Sequence, residues 1–195
     1  ATNWQSVSCG AFHTLAIKTD GTLWAWGANT YGQLGDGTTT NRSSPIQIGT
    51  ATDWSTVNCG MQHTHAIKKD GTLWAWGSNY FGQLDLNQKS PTSIGSTQSW
   101  RSISCGNMHS DAVAVDGTLW TWGINVPGLF GFGDSGYREN PQQIGTATDW
   151  STVNCEGGGQ SLAIKTDGTL WTWGRNDYGQ LGDGTTTNRS SPIQI

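Results

Sequence analysis

The chain has 195 residues, of which 34% are hydrophobic and only 12% charged, with 28 glycines, 12 tryptophans and a formal net charge of −4. That length supports one domain whose core rests on a few large aromatics, each hiding roughly 150–250 Å². The absence of any basic run argues against nucleic-acid partners. No apolar stretch approaches the roughly 20 residues that span a membrane, and no signal-peptide pattern opens the chain.

Taken in order, the chain repeats. Tryptophans recur as Trp4/Trp24/Trp26, Trp54/Trp74/Trp76, Trp100/Trp120/Trp122 and Trp150/Trp171/Trp173. A fixed period in the range of 20–50 residues decides architecture before any local signal does. The repeats run over about 1–50, 51–96, 97–146 and 147–195 in a single domain. Gly32–Ile48 is identical to Gly179–Ile195, and Ile48–Cys59 to Ile144–Cys155.

Within a repeat four short strands are expected. In the second repeat they are Trp54–Cys59, Thr64–Lys68, Thr72–Trp76 and Pro91–Ile94, the last matching Pro45–Ile48 in the first. Val57 and Cys59 share a face of their strand, as do His65 and Ile67, with Ala66 opposite. The Asp-Gly pairs at Asp20, Asp70, Asp116 and Asp167 read as tight turns, because glycine accepts the positive φ such turns need. The run behind each, Thr-Leu-Trp-Ala/Thr-Trp, is β-branched, aromatic and alternating, hence a strand. Four-stranded antiparallel units at this period indicate an all-β fold of four β-propeller blades. Stacking buries both faces of a blade, so Leu73 and Trp74 can both be large and apolar on opposite faces. The ring is expected to be partial, or completed by oligomerisation.

Cys9, Cys59, Cys105 and Cys155 fall one per repeat. Equivalent positions in successive repeats are held too far apart for disulfides, so buried thiols are expected. Their number leaves the compartment open, with an extracellular or bacterial cell-surface setting favoured over the cytoplasm.

The repeats differ in their long loops. Asn29 to Pro45 and Asn176 to Pro192 each span 16 positions, whereas Asn79 to Pro91 spans 12. The third repeat carries Val126, Leu129, Phe130, Phe132 and Tyr137, an apolar, glycine-flexible patch that reads either as an anchor for a protein partner or as local packing, with Phe130 in the pocket that Leu34 fills in the first repeat. The fourth has Gln160 where the others have His13, His63 and His109.

The residues Gly60, His63, Thr64, Asp70–Gly77, Asn79, Gly82–Leu84 and their counterparts resemble the repeat of the regulator of chromosome condensation family over essentially the whole chain. The resemblance implies a β-propeller, usually seven-bladed, so that four repeats imply an arc completed by further sequence or further chains. It also implies protein binding through loops on a rigid ring. Members include a nucleotide-exchange factor for a small GTPase, an ultraviolet-B receptor and enzyme inhibitors. The receptor's Gly-Trp-Arg-His-Thr context is absent from Gly10–His13, Gly60–His63 and Gly106–His109.

No carboxylate pair, nucleophile triad or phosphate-cradling loop stands out, so no enzyme activity is expected. His13, His63 and His109 each follow a cysteine by four residues, a pairing open to zinc or copper. Gln160 breaks that pattern, and no metal or cofactor is assigned. Asn29, Asp36 and Asn41 offer too few carboxylates for calcium. Asn41-Arg42-Ser43 and Asn188-Arg189-Ser190 match the glycan acceptor triplet, a pattern common by chance. The leading expectation is a non-enzymatic protein-binding or structural scaffold that self-associates into a dimer or polymer. The alternative is a regulatory propeller acting as exchange factor or inhibitor through its loop face.

Overall fold

A computed structural model describes residues 2–80, 82, 84, 87–94, 97–125, 136–155 and 157–195. It contains sixteen strands and, among the described residues, no helix and hence none that could cross a membrane. The first blade is β1 (Trp4–Cys9), β2 (His13–Lys18), β3 (Leu23–Gly27) and β4 (Arg42–Gln47). The second is β5 (Trp54–Cys59), β6 (His63–Lys68), β7 (Leu73–Gly77) and β8 (Gln88–Ser93). The third is β9 (Trp100–Cys105), β10 (His109–Ala114), β11 (Leu119–Asn125) and β12 (Gly136–Gln143). The fourth is β13 (Trp150–Asn154), β14 (Gln160–Lys165), β15 (Leu170–Gly174) and β16 (Arg189–Gln194). Each blade is an antiparallel meander whose strands pair in chain order.

The Asp-Gly turn does two jobs. Inside the blade, Asp20 Oδ1 accepts from the Thr22 amide at 3.0 Å and the Thr22 hydroxyl at 2.7 Å, and Thr22 Oγ1 accepts from Trp24 Nε1 at 3.0 Å. The same three bonds recur at Asp70, Asp116 and Asp167. Between blades, the carbonyls of Gly21, Gly71 and Gly117 accept from the amides of Trp54, Trp100 and Trp150. A turn made within one blade therefore positions the first strand of the next.

Blades stack through one apolar layer per junction. Leu15, Ile17, Leu23 and Ala25 of the first blade meet Trp54, Val57, Cys59, Ala66 and Trp76 of the second. Ile67 and Leu73 meet Trp100, Ile103, Cys105, Ala112 and Trp122. Val113 and Leu119 meet Trp150, Val153, Ala163 and Trp173. Every blade thus has a tryptophan-rich leading face and an aliphatic trailing face, set by the two-residue alternation of its strands. Inter-blade contacts fall on the first and second strands, so these lie toward the axis and the fourth strands form the rim. The blades follow one another as an arc, and the sheets do not close into a ring.

Two expectations need correction. The fourth strand begins earlier than Pro45 or Pro91, at Arg42 and Gln88. Proline sits inside a rim strand, where its missing N–H costs nothing, and the ladder to β3 is irregular between Ala25 and Gly27. All four cysteines are thiols, but only Cys59, Cys105 and Cys155 are buried. Each of these Sγ atoms meets a carbonyl of the preceding blade, at Ser8, Asn58 and Ser104 respectively. Cys9 is exposed, with no carbonyl of a preceding blade against it among the described residues.

Candidate functional site

Three features of the arc are candidate binding sites: its pair of end faces, its loop face and the polar seam near its axis. The end faces follow from the stacking rule. Trp4 and Val7 are 39% and 64% exposed, whereas their counterparts Trp54 and Val57 are buried. Beside them runs a groove of about 370 Å³ lined by Ser6, Ala16 and Trp26 as well. At the other end Ile164 and Leu170 are 43% and 38% exposed, whereas Ile17 and Leu23 are fully buried. Gly168 tells the same story. A Cβ at Gly21 would stand 2.0 Å from the Thr52 carbonyl, while one at Gly168 meets nothing within 4 Å.

The repeat tryptophans divide by position. Trp76, Trp122 and Trp173 are buried at blade junctions, and Trp26, their counterpart at the open end, is half-buried. Trp24, Trp74, Trp120 and Trp171 are half-buried and held by the turn threonines. Trp54 stacks edge-on against Trp74 at 5.8 Å between centroids, an arrangement repeated in every blade.

The loop face is built by the turns after each first strand and the loops after each third strand, which antiparallel pairing puts at one end. There Thr30, Tyr31, Met61, Tyr80, Lys89 and Met108 border a cleft of about 510 Å³. Tyr31, Tyr80, Tyr178 and Phe12 are exposed at 47%, 80%, 86% and 75%. In the first and fourth blades the long loop is organised by a fully buried asparagine, Asn29 and Asn176. Asn29 is engaged on every side: its amide donates to Asn41 Oδ1 at 2.8 Å, its Nδ2 to Asp36 Oδ1 at 2.9 Å, and its Oδ1 accepts from the Leu34 amide at 3.0 Å. Asp36 also pairs with Arg42 at 2.6 Å. Burial alone would raise the Asp36 pKa, but the Thr38 hydroxyl and Arg42 outweigh it and hold the carboxyl below its ordinary range. These oxygens are spent on the loop itself, as are those of Asn41 and Asn188 in the glycan triplets. In the shorter second loop Asn79 makes two of these three bonds, donating its amide to Asn87 Oδ1 and accepting from the Leu84 amide.

Of the residues expected to anchor a partner, Val126, Leu129, Phe130 and Phe132 lie outside the described residues. Tyr137 is 59% exposed at the start of β12, on the side facing Gly82.

The polar seam was not visible as such in the sequence. His13 Nε2 lies 3.2 Å from Thr64 Oγ1, His63 Nε2 3.4 Å from Ser110 Oγ, and His109 Nε2 3.4 Å from Ser161 Oγ. Each signature histidine therefore reaches across to the second strand of the following blade, not to the cysteine four residues before it. Burial pulls all three pKa values down, that of His13 to about 4 and that of His63 well below its usual value. His65 and Asp111 are also fully buried, at the strand position where the first and fourth blades carry Leu15 and Leu162.

Comparison with known proteins agrees with this architecture. Two family models, both described as the regulator of chromosome condensation (RCC1) repeat, match residues 20–67, 70–113 and 167–195, and 4–33, 54–83 and 152–180. The protein RCC2 homolog of Danio rerio is 44% identical over 59 residues, 28% of this chain and 12% of that protein. Among solved structures, human WBSCR16 superposes with a TM-score of 0.87 at 24% identity, over 98% of this chain and 52% of that one. Prp20p from Saccharomyces cerevisiae gives 0.85 at 22% identity, over 100% and 51%. At these identities the structures establish the fold, and the chain spans about half the length of each. The Prp20p structure is described together with its binding to Gsp1p and histones, and another shows yeast RCC1 (Prp20) bound to Kap60. Histones are chromatin proteins, so these relatives lend no support to the expectation, drawn from low positive charge, that nucleic acid is excluded as a partner.

Proposed function

The chain belongs to the regulator of chromosome condensation (RCC1) repeat family, and from that premise we propose that it is a non-enzymatic, protein-binding scaffold of propeller blades that joins head to tail with further copies of itself. One observation carries this reading: the two open end faces are the two halves of a junction already present three times inside the arc. The trailing side of the fourth blade repeats that of the first, since Gly179–Ile195 is identical to Gly32–Ile48 and Leu162, Ile164 and Leu170 stand for Leu15, Ile17 and Leu23. The leading side of the first blade offers Trp4, Trp24 and Trp26 where the second offers Trp54, Trp74 and Trp76. A heterologous contact of this kind repeats until a ring closes or a filament grows. Apolar faces of this size are covered in stable soluble proteins. Further blades in the same polypeptide would cover them equally well, and the chain's length against its relatives fits that too. Light scattering separates the cases: a mass of two or more chains supports self-association, and a stable monomer at high concentration sinks it.

The loop-face cleft favours a second reading, a regulatory propeller acting as exchange factor or enzyme inhibitor. Tyrosine and methionine bordering one concave patch are typical anchors for a protein partner. A defined GTPase or hydrolase partner whose binding is lost in Tyr31→Ala/Tyr80→Ala and in Phe130→Ala/Phe132→Ala supports it. Binding that survives both removes it.

A further inference from the structure

We propose that His63, His65 and Cys105 form a buried binding site for one zinc-class divalent transition-metal ion at the junction of the second and third blades. The three side chains are all buried, and one ligand atom from each falls within 4.8 Å of the others. Cys105 Sγ is 3.3 Å from His65 Nδ1. Ser110 Oγ lies 3.4 Å from His63 Nε2 and 3.5 Å from His65 Nδ1. In a tetrahedral zinc site with Zn–N of about 2.0–2.1 Å and Zn–S of about 2.3 Å, neighbouring ligand atoms stand roughly 3.3–3.7 Å apart. The three distances above match that figure, the remaining ligand pairs lie within 4.8 Å, and the Ser110 oxygen offers a fourth corner. Two imidazoles and a thiolate are the donor set that selects zinc and copper over magnesium or calcium.

Two further observations point the same way. His65 departs from the repeat: the position is Leu15 in the first blade and Leu162 in the fourth. Leucine suffices for the stacking there, and replacing it by a fully buried imidazole costs desolvation that a ligand role would offset. There is also an entry path. Cys105 lines a depression of about 160 Å³ that opens between the ends of the first strands, bordered by Cys9, Gly10, Cys59, Gly60 and Gly106.

In the corresponding group one junction on, His109, Asp111 and Cys155, one carboxylate oxygen is already engaged, although Asp111 Oδ1 has no hydrogen-bond partner among the described residues. Ser161 donates to Asp111 Oδ2 at 2.5 Å, and His109 Nε2 stands 3.8 Å from the same oxygen.

Binding balances simply. The ion takes the lone pairs of His63 Nε2 and His65 Nδ1 and replaces the proton on Cys105 Sγ, which leaves to solvent. One proton is therefore released per ion, and the S–H contact to the Asn58 carbonyl at 3.5 Å is exchanged for the metal bond.

The test titrates Zn²⁺, and Co²⁺ as a spectroscopic reporter, into the metal-stripped full chain. One equivalent should bind with release of one proton, and Co²⁺ should give thiolate-to-metal charge-transfer absorption in the near ultraviolet. The variants carry residues the repeat itself uses elsewhere, His65→Leu from Leu15 and His63→Gln from Gln160, so folding is preserved and can be checked by circular dichroism. Losing an outer-shell partner typically weakens a metal site about 10–100-fold, so losing a ligand should cost at least about 100-fold. Absence of stoichiometric binding overturns the proposal, as does binding by both variants as tight as by the unaltered chain, which would place the ion at exposed Cys9 or elsewhere.

Discussion

Trp76 Nε1 donates a 2.9 Å hydrogen bond to the backbone carbonyl of Gln33, across the junction of the first and second blades. The same carbonyl accepts from Thr64 Oγ1 at 2.9 Å, so one loop of one blade is tied to two strands of the next. Stacking here is directional as well as apolar.

Trp76→Phe removes that donor and leaves a gap in a packed layer, which should lower stability by about 2 kcal/mol. Trp26→Phe, at the half-buried open-end counterpart, should cost below about 1 kcal/mol in dilute monomer. Denaturant melts of the two variants check the contrast. In a head-to-tail assembly Trp26 takes the place of Trp76 and Gln180 that of Gln33, so Trp26→Phe should instead weaken association.

The glycine turns give a second contrast. Gly21 has φ +80 and Gly168 φ +85, so alanine is strained at both, by about 1 kcal/mol. Only at Gly21 does the new Cβ also collide with the Thr52 carbonyl. Gly21→Ala should therefore unfold or shift the first junction, while Gly168→Ala folds but fails to associate. Thermal melts combined with light scattering read both effects.

Thiol chemistry reports burial directly. In native protein at low concentration one thiol, Cys9, should react promptly with a disulfide reagent, and the buried Cys59, Cys105 and Cys155 only after unfolding. Burial lifts the Cys59 thiol to about 12, which slows it further. Raising protein concentration should protect Cys9 as its face becomes covered. Prompt reaction of all four would contradict the stacked arc.

Stability should fall in acid in two stages. His13 is held neutral, its pKa lowered by burial from 6.5 to about 4. A base depressed on folding contributes in full above its unfolded pKa, and that contribution is lost as pH falls from about 6.5 toward 4, on the order of 3 kcal/mol. The second stage lies between about pH 4 and pH 2. Asp20, Asp36, Asp70, Asp116, Asp167 and Asp183 all have lowered pKa values, Asp183 down to about 2. Threonine two residues on is the main cause at all of them but Asp36, where it overcomes a burial effect of opposite sign. Urea midpoints from pH 8 to pH 2 check both stages, and a flat profile would contradict them.

Much of the blade was legible from local chemistry. Asp70-Gly71 fixes its turn within three residues, and the Leu73/Trp74 alternation assigns both faces of β7 without reference to anything distant. The fourth strand was misplaced because Pro91 reads as a boundary, and its tolerance depends on lying at the rim. Exposure of Cys9 and Ile164 could not be read from their repeats, since each is local copy number one or four of a pattern buried elsewhere. The cluster of His63, His65 and Cys105 spans two blades at separations of 40 and more positions. Its one signal in the sequence was His65 standing where the outer repeats carry leucine.

The central claim is that the open faces are complementary halves of one junction, and mixing two complementary variants tests it. Trp4→Asp spoils the leading face and keeps the trailing one, while Ile164→Asp does the reverse. Sedimentation equilibrium should find each variant alone monomeric and their equimolar mixture at twice that mass, joined through the one intact pair of faces. A mixture that stays monomeric while the unmodified chain associates, or an unmodified chain that is itself a stable monomer, would contradict the account.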